Sequence, residues 1–454
     1  MLEVITIETP ELGNRTYLVH DGGKGLVIDP QRDIDRVTSL ADSAKIEINF
    51  VAETHIHNDY VSGGRALSER TGARYLVAAA EDVAFLRQPL SEGDRVQVGA
   101  MTLQALATPG HTRSHLAFVV SDGDRPAALF SGGSLLYGAV GRTDLVSPEL
   151  TEELARFQHR SALRLAALPE ELGLFPTHGF GSFCASGASS PSDAGLSLGS
   201  QREVNPALTA DEEGFVRALL AGYSDYPRYY AYMGARNLEG AAAPAPDLPP
   251  QIDVPEAGRR ISAGEWVIDL RPRSEFAPAH VKGTVNFPAQ EQLATYIGWV
   301  VPWGSPLTVV AESPELVSHA RRDLARIGID QFAGWVRAPL GDLQAAQGGS
   351  SYPVTDFRGL AKAQLTADLQ ILDARRPDEW RQEHIRGSIN IHLPDLPSRL
   401  NELPDRLTWV HCSAGYRAAV AASLLDRAGR KVVLVDDAIA RLGLAGLELE
   451  SGSV

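Results

Sequence analysis

Cysteine is nearly absent from this chain: Cys184 and Cys412 are the only two thiols in 454 residues. No disulfide framework can be built from them, and a reducing cytoplasm is the expected compartment. Long apolar runs are missing as well. No segment reaches the roughly 18 uninterrupted apolar residues that a membrane-spanning helix requires. The opening residues, Met1 to Pro10, show no basic stretch followed by an apolar one, so secretion is not expected either. Basic charge is in deficit, with 42 Lys and Arg against 57 Asp and Glu, a net charge of -15 and a pI near 5.3. That balance argues against nucleic acid and anionic membrane as partners, since both are bound through basic patches. The rest is an ordinary globular composition, 44% hydrophobic and 22% charged. The length exceeds what one core fills, so about two to four domains are expected.

The first half alternates strand-like and helical patterns. Thr16 to His20 and Gly25 to Asp29 read as paired strands, and further runs occur at Ile48–Ala52, Arg74–Val77, Leu103–Ala107, Leu116–Val120 and Ala127–Phe130. Glu149 to Leu168 reads as a helix. Gly179 to Asn205 is rich in Ser, Gly and Ala and reads as a long loop or lid. A Pro- and Ala-rich spacer then runs from Glu239 to Pro250. Beyond it lies an internal repeat. Val267-Ile-Asp-Leu-Arg271 and His280-Val-Lys-Gly-Thr-Val-Asn286 match Ile371-Leu-Asp-Ala-Arg375 and His384-Ile-Arg-Gly-Ser-Ile-Asn390. A period of about a hundred residues means two copies of a domain rather than a solenoid. Alternating short strands and helices make each copy an α/β domain with a mostly parallel sheet, joined near Tyr352–Leu360.

Two constellations carry chemistry. In Thr54-His55-Ile56-His57-Asn58-Asp59-Tyr60 a buried strand runs into a loop offering two imidazoles and a carboxylate. Alternate residues of an extended loop share a direction, so His55 and His57 can converge on one point with Asp59 nearby. Neutral imidazole is the commonest protein ligand for transition metals. His111, in Thr-Pro-Gly-His-Thr after a strand, and His178, in Phe-Pro-Thr-His-Gly, add two more candidates at strand ends. The second constellation is Thr408-Trp-Val-His-Cys412-Ser-Ala-Gly-Tyr-Arg417. A strand delivers Cys412 into a tight loop that opens a helix, so backbone N–H groups point at the sulfur and favour an anion there. Arg417 adds positive charge. The first copy offers no Cys or Arg at the matching loop, Glu312-Ser-Pro-Glu-Leu-Val-Ser, and is read as a structural spacer.

On these motifs the first part of the chain resembles the metallo-β-lactamase superfamily, and Gly132 to Leu145 resembles the corresponding segment of persulfide dioxygenases and hydroxyacylglutathione hydrolases. The repeat and the Cys412 loop resemble the rhodanese sulfurtransferases. The loop is one residue shorter than in Cys-based phosphatases, as suits a single terminal sulfur rather than a phosphate. The whole chain therefore resembles fused persulfide dioxygenase–rhodanese proteins. This implies an α/β chain with an N-terminal αββα sandwich at 1–240, a rhodanese-like copy lacking the catalytic Cys at 252–350, and an active copy at 355–454.

The resemblance implies oxidation of a low-molecular-weight thiol persulfide to sulfite at one Fe(II), with zinc as the alternative ion. It also implies transfer of sulfane sulfur between thiosulfate or sulfite and thiols through a persulfide on Cys412. Asp29 fits the family's carboxylate that orients site residues. Two positions depart from the family: Tyr60 stands where a second metal would take a His, and Gly133 where the family has a metal-binding Asp. Three arrangements stay open. His55, His57 and His111 hold the ion, completed by water, Asp59 or Tyr60; Asp59 serves as the carboxylate; or the site is empty and the fold is a scaffold beside a sulfurtransferase. A zinc thioester hydrolase would need two metals and conflicts with Tyr60 and Gly133. A homodimer through the Ser/Gly-rich loop is the remaining partner expectation.

Overall fold

The computed structural model describes residues 2–179, 181–186, 197–245, 247–290, 292–337, 341–365 and 369–452. It divides into two compact units, Met1–Ala245 with Ala325–Gly328, and Pro246–Leu324 with Ile329–Val454.

In the first unit one sheet runs through β1 (Glu3–Thr9), β2 (Asn14–His20), β3 (Lys24–Ile28), β4 (Glu47–Ala52), β5 (Arg74–Ala78) and β6 (Gln88–Leu90) in that order. The helices α1 (Asp35–Ala44) and α2 (Gly64–Thr71) connect its parallel strands. The second sheet has the order β11-β10-β9-β8-β7, formed by Gly173–Pro176, Arg125–Gly132, Leu116–Asp122, Met101–Ala107 and Arg95–Val98. Period-two alternation builds the layers. Tyr17, Val19, Leu26, Ile28, Phe50 and Ala52 of the first sheet share one core with Leu103, Ala105, Phe118, Val120 and Phe130 of the second. The residues between them face outward. Leu18, Val27 and Val51 pack with α1 and α2 through Val37, Ala41 and Leu67. Ala117, Val119 and Leu129 pack with α3 (Thr151–Ala166) and with α5 (Glu212–Ala221) through Ala155, Ala162, Phe215 and Leu219. Two sheets face to face with helices outside is the αββα sandwich.

Strands β1, β6, β7 and β11 are additional to the apolar runs that sequence patterning picks out. They are short or edge strands: β6 and β11 have only three and four residues, and β7 carries the exposed Arg95 and Gln97. Asn205 caps the short α4 (Pro206–Thr209) by accepting the Ala207 N–H. In the Ser/Gly-rich segment, residues 187–196 lie outside the described residues. Tyr223, Tyr226 and Tyr229 precede α6 (Tyr230–Glu239).

The second unit holds two parallel sheets. One runs Val285–Asn286, Trp266–Asp269, Leu307–Ala311, Phe332–Arg337; the other Val354–Thr355, Val432–Val435, Thr408–His411, Gln370–Asp373, Ile389–Asn390. The repeat appears in side chains as well as in order. Arg271 Nη2 binds Asp269 Oδ2 at 2.7 Å, and Arg375 Nη2 binds Asp373 Oδ2 at 2.7 Å. Asn286 Nδ2 donates to the carbonyls of Asp269 and Arg271, as Asn390 Nδ2 does to those of Asp373 and Arg375. His280 stacks on Phe276 at 4.0 Å and His384 on Trp380 at 3.6 Å. These buried contacts hold the turn after the first strand of each half, which is a structural task.

Candidate metal centre and thiol loop

The ends of β3, β4, β8, β10 and β11 lie at one edge of the sandwich, and five histidines collect there. His55 and His57 follow β4, His111 follows β8, His115 precedes β9, and His178 follows β11. All are buried. His55 lies 4.1 Å from His57, 4.7 Å from His111, 5.0 Å from His115 and 5.3 Å from His178, ring centre to ring centre.

Hydrogen bonds assign most of the free nitrogens. Thr54 Oγ1 donates to Asp29 Oδ2 at 2.7 Å, so toward His55 it can only accept, and His55 Nδ1 carries the proton at 2.9 Å. The Nε2 lone pair of His55 is then free. His178 Nδ1 donates to Asn14 Oδ1 at 2.9 Å, and Asp59 Oδ2 lies 3.3 Å from the same nitrogen, which leaves His178 Nε2 free. The two Nε2 atoms stand 3.3 Å apart. Two lone pairs make no hydrogen bond, but two nitrogens at about 2.05 Å from one tetrahedral ion are separated by about this distance. His111 Nδ1 donates to the Arg142 carbonyl at 2.7 Å, which frees its Nε2. His57 Nε2 meets Glu53 Oε2 at 3.0 Å and Asp29 Oδ1 at 3.4 Å, while its Nδ1 is buried without a hydrogen-bond partner. Ligand atoms of His55, His57 and His178 lie within 4.8 Å of one another. The donor set therefore fits a transition-metal ion: imidazoles whose outer nitrogens are tied to protein acceptors, the usual way such ligands are oriented.

Electrostatics agree. Burial lowers His55 and His115 well below the usual imidazole range, and His111 to about 3, so these rings are neutral, as ligands must be. Burial would also lower His57, but Asp29 and Glu53 outweigh it and push it up to about 10. The two carboxylates thus stabilise positive charge on that ring, be it a proton or a coordinated cation. Asp29 is the hub. It sits at φ +50°, in the left-handed region, and accepts from the Thr54 N–H at 2.7 Å and from the hydroxyls of Thr54 and Thr177. A non-glycine residue there is strained, and such strain gathers at functional sites. Asp59 accepts from Asn14 Nδ2 at 2.8 Å. Burial acts to raise it, yet His178, His57 and Asn14 hold it at about 2.

Tyr60 does not join the donor set. Its hydroxyl meets His57 Nε2 at 2.9 Å and donates to the Asp29 carbonyl, and its ring stacks on His57 at 4.3 Å. At Gly133 the space a Cβ would take is filled by the His111 ring, whose Cγ would lie 2.6 Å away. The Gly133 N–H donates to His115 Nε2 at 3.0 Å. His115 was not among the sequence candidates. The spacing His111-Thr-Arg-Ser-His115 was its only sequence signal. Arg142 pairs with Asp144 at 2.7 Å and lies under Tyr223 and Tyr226, at 4.9 and 4.6 Å from the ring centres, so these tyrosines clamp the loop beside the site.

In the second unit the strand Thr408–His411 delivers Cys412, and the helix Tyr416–Arg427 begins four residues later. Gly415, at φ +86°, turns its N–H onto Cys412 Sγ at 3.2 Å. Arg417 does not stand free. It forms a fork with Glu379 at 2.5 and 2.8 Å, and Ser413 Oγ donates to the same carboxylate at 2.7 Å. Burial acts to raise Glu379, but Arg417 and Ser413 hold it at about 2. The loop thus carries a largely buried ion pair that sequence spacing did not disclose. The first half packs against this helix: Tyr296 stacks on Tyr416 at 5.0 Å, and Tyr416 donates to the Pro288 carbonyl at 3.1 Å.

Among known proteins, residues 358–441 match the rhodanese-like domain and residues 9–178 the metallo-beta-lactamase superfamily. A hydroxyacylglutathione hydrolase of Pseudomonas putida (strain GB-1) is 37% identical over 168 residues, which is 36% of this chain and 61% of that protein. The match thus spans under two thirds of that relative. A hydroxyacylglutathione hydrolase of Stenotrophomonas maltophilia (strain R551-3) is 32% identical over 209 residues, 46% of this chain and 77% of that protein. A solved metallo-beta-lactamase from Staphylococcus aureus subsp. aureus COL superposes with a TM-score of 0.66 at 26% identity, covering 74% of this chain and 99% of its own. With two facing sheets, histidines gathered at the strand ends and these relatives, the chain belongs to the metallo-beta-lactamase superfamily and carries a rhodanese-like domain in its C-terminal part.

Proposed function

We propose that this is an enzyme of persulfide metabolism. Its N-terminal unit oxidises a low-molecular-weight thiol persulfide with O₂ and water to sulfite and the free thiol, chemistry that one iron(II) ion would supply and redox-inert zinc would not, and Cys412 transfers sulfane sulfur between thiosulfate or sulfite and thiols. The observation that carries the sulfur chemistry is the Cys412 loop, with a backbone N–H on the sulfur and a helix opening behind it. We take residues 252–350 and 355–454 as two rhodanese-like copies, supported by the repeated Asp–Arg, Asn and His contacts.

In the N-terminal unit His55, His57, His111 and His178 would hold the ion, which supplies a place where persulfide and O₂ meet. Asp29 and Glu53 orient His57, and Asn14 with Asp59 orients His178. The buried surroundings keep bulk water from a reactive sulfur oxidation. In the C-terminal unit the Cys412 thiolate attacks the outer sulfur of thiosulfate. A Cys412 S–S bond forms, the thiosulfate S–S bond breaks, and sulfite leaves with the electron pair. An acceptor thiolate then takes that sulfur and returns Cys412 as thiolate.

Fe(II)-loaded protein supplied with thiol persulfide is expected to consume O₂; uptake no greater than in His55→Ala would sink the dioxygenase half. Thiosulfate-dependent sulfur transfer is expected to vanish in Cys412→Ser, and persistence would overturn the assignment of that thiol. The names of the curated relatives favour a second reading, hydrolysis of a hydroxyacylglutathione thioester. Tyr60, bound to His57, and Gly133, lacking a carboxylate, weigh against it because they remove ligands of a second metal. Thioester cleavage by zinc-loaded protein at a rate that His55→Ala abolishes would favour this reading.

A further inference from the structure

Cys184 has no part in the chemistry above, yet it lies at the histidine cluster and not in a distant core. Ligand atoms of His111, His178 and Cys184 fall within 4.8 Å of one another, and all three residues are buried. A buried cysteine alone is usually inert packing. Here a second group faces the same place: Asp59 Oδ1 is buried without a well-formed hydrogen bond, and its carboxylate reaches both His178 and Cys184. Burial, together with that carboxylate, holds the metal-free thiol well above its usual range.

The backbone holds the sulfur in position. The Arg142 N–H donates to the Cys184 carbonyl at 2.8 Å, while the Arg142 carbonyl accepts from His111 Nδ1 at 2.7 Å. One residue thus fixes both the ring and the thiol loop. The Ser186 N–H donates to the Val140 carbonyl at 2.9 Å, and Arg142 Nη1 donates to the Phe183 carbonyl at 3.2 Å. Tyr230, also buried, lies beside the sulfur.

The geometry points to Cys184 as a metal ligand, its thiolate joining His111 and His178 and taking over the negative charge that the missing carboxylate at Gly133 would have supplied. The ion would replace the thiol proton, which leaves to solvent, so the thiolate adds one sulfur and one compensating negative charge to the imidazole set already described. Thiolate with imidazole selects a borderline to soft ion such as zinc or iron(II) over magnesium or calcium. A coordinated metal deprotonates a thiol outright, whatever its environment does to the free group. The inference rests on the reading of the N-terminal unit as a metal protein, and it adds a ligand that the strand-end histidine pattern does not contain.

The test uses the full chain carrying Cys412→Ser, so that Cys184 is its only thiol. Loaded with Co(II), this protein is expected to show visible d–d bands and an intense near-ultraviolet sulfur-to-cobalt charge-transfer band. In the Cys184→Ala, Cys412→Ser protein the charge-transfer band should vanish, with Co(II) affinity about tenfold or more weaker. Visible bands without charge transfer would overturn the Cys184 assignment and leave the metal reading intact. No visible bands at all would overturn both. Should the double variant fail to fold, X-ray absorption of the zinc-loaded Cys412→Ser protein decides: a sulfur neighbour at about 2.3 Å supports the ligand, and a shell of nitrogen and oxygen alone overturns it.

Discussion

At the residue scale the candidate metal centre depends on groups that orient its histidines. Asp29 bears on His57 and positions the hydroxyls of Thr54 and Thr177, all from a left-handed backbone that Asn also tolerates. Asp29→Asn should therefore fold but hold metal about 10- to 100-fold more weakly, read by competition with a chelator. Gly133 gives the opposite lesson. Sequence comparison presents it as a lost carboxylate that Gly133→Asp would restore. The His111 ring fills the space of a Cβ at this position. Gly133→Asp should accordingly displace His111 and lower thermal stability; a gain in metal affinity without a loss of stability would contradict this. His55, His57, Asp59, His111 and His178 stand out as candidates in the sequence because they fall in loops that follow strand-like runs, His55 beside Thr54, His111 after Pro-Gly and His178 between Thr177 and Gly179. His115 and Cys184 could not, since one adds a single imidazole after an identified one and the other sits in a loop without metal-ligand spacing.

At the scale of elements, the strand–loop–helix unit around Cys412 is held from the side by the short helix Pro377–Gln382, which carries Glu379. The Glu379–Arg417 fork is largely buried, and removing one partner of such a pair costs about 3 kcal/mol. Glu379→Gln should lower the stability of the C-terminal unit by roughly that amount and leave the Arg417 charge to the loop. Because the Glu379 carboxyl is held at about 2, below its ordinary value of 4.5, the pair's contribution is fully present above pH 4.5. It is lost as pH falls from there toward 2, so the acid-unfolding curves of wild type and Glu379→Gln should converge over that window. Gly415 is the other constraint. At φ +86° a Cβ costs about 1–2 kcal/mol and would also meet Asp436, so Gly415→Ala should turn the N–H from the sulfur and depress sulfur transfer. The loop's type was legible because strand, Cys, Gly and helix follow one another along the chain. The ion pair was not, because Glu379 and Arg417 are brought together only when the two helices pack.

At the scale of the whole molecule, the chain forms two compact units, one with the histidine cluster and one with the Cys412 loop, and no helix among the described residues is long and apolar enough to cross a membrane. A ligand that binds one folded unit stabilises that unit alone. Scanning calorimetry with and without a strong chelator should shift the unfolding of the N-terminal unit and leave thiosulfate sulfur transfer at Cys412 unchanged; joint loss of both would couple the sites. The sequence by itself determined the strands that alternate or are wholly apolar, the repeat in the second unit, and the loops in which catalytic residue types are neighbours. These are local properties, written in periodicity and in turn chemistry. Only the tertiary structure decided which nitrogens of the histidines are free, that Tyr60 faces His57 rather than an ion, and that Cys184 lies beside His111 and His178. Those outcomes depend on hydrogen bonds and packing between segments more than a hundred residues apart in places, such as Asn14 with His178, and no local pattern encodes them.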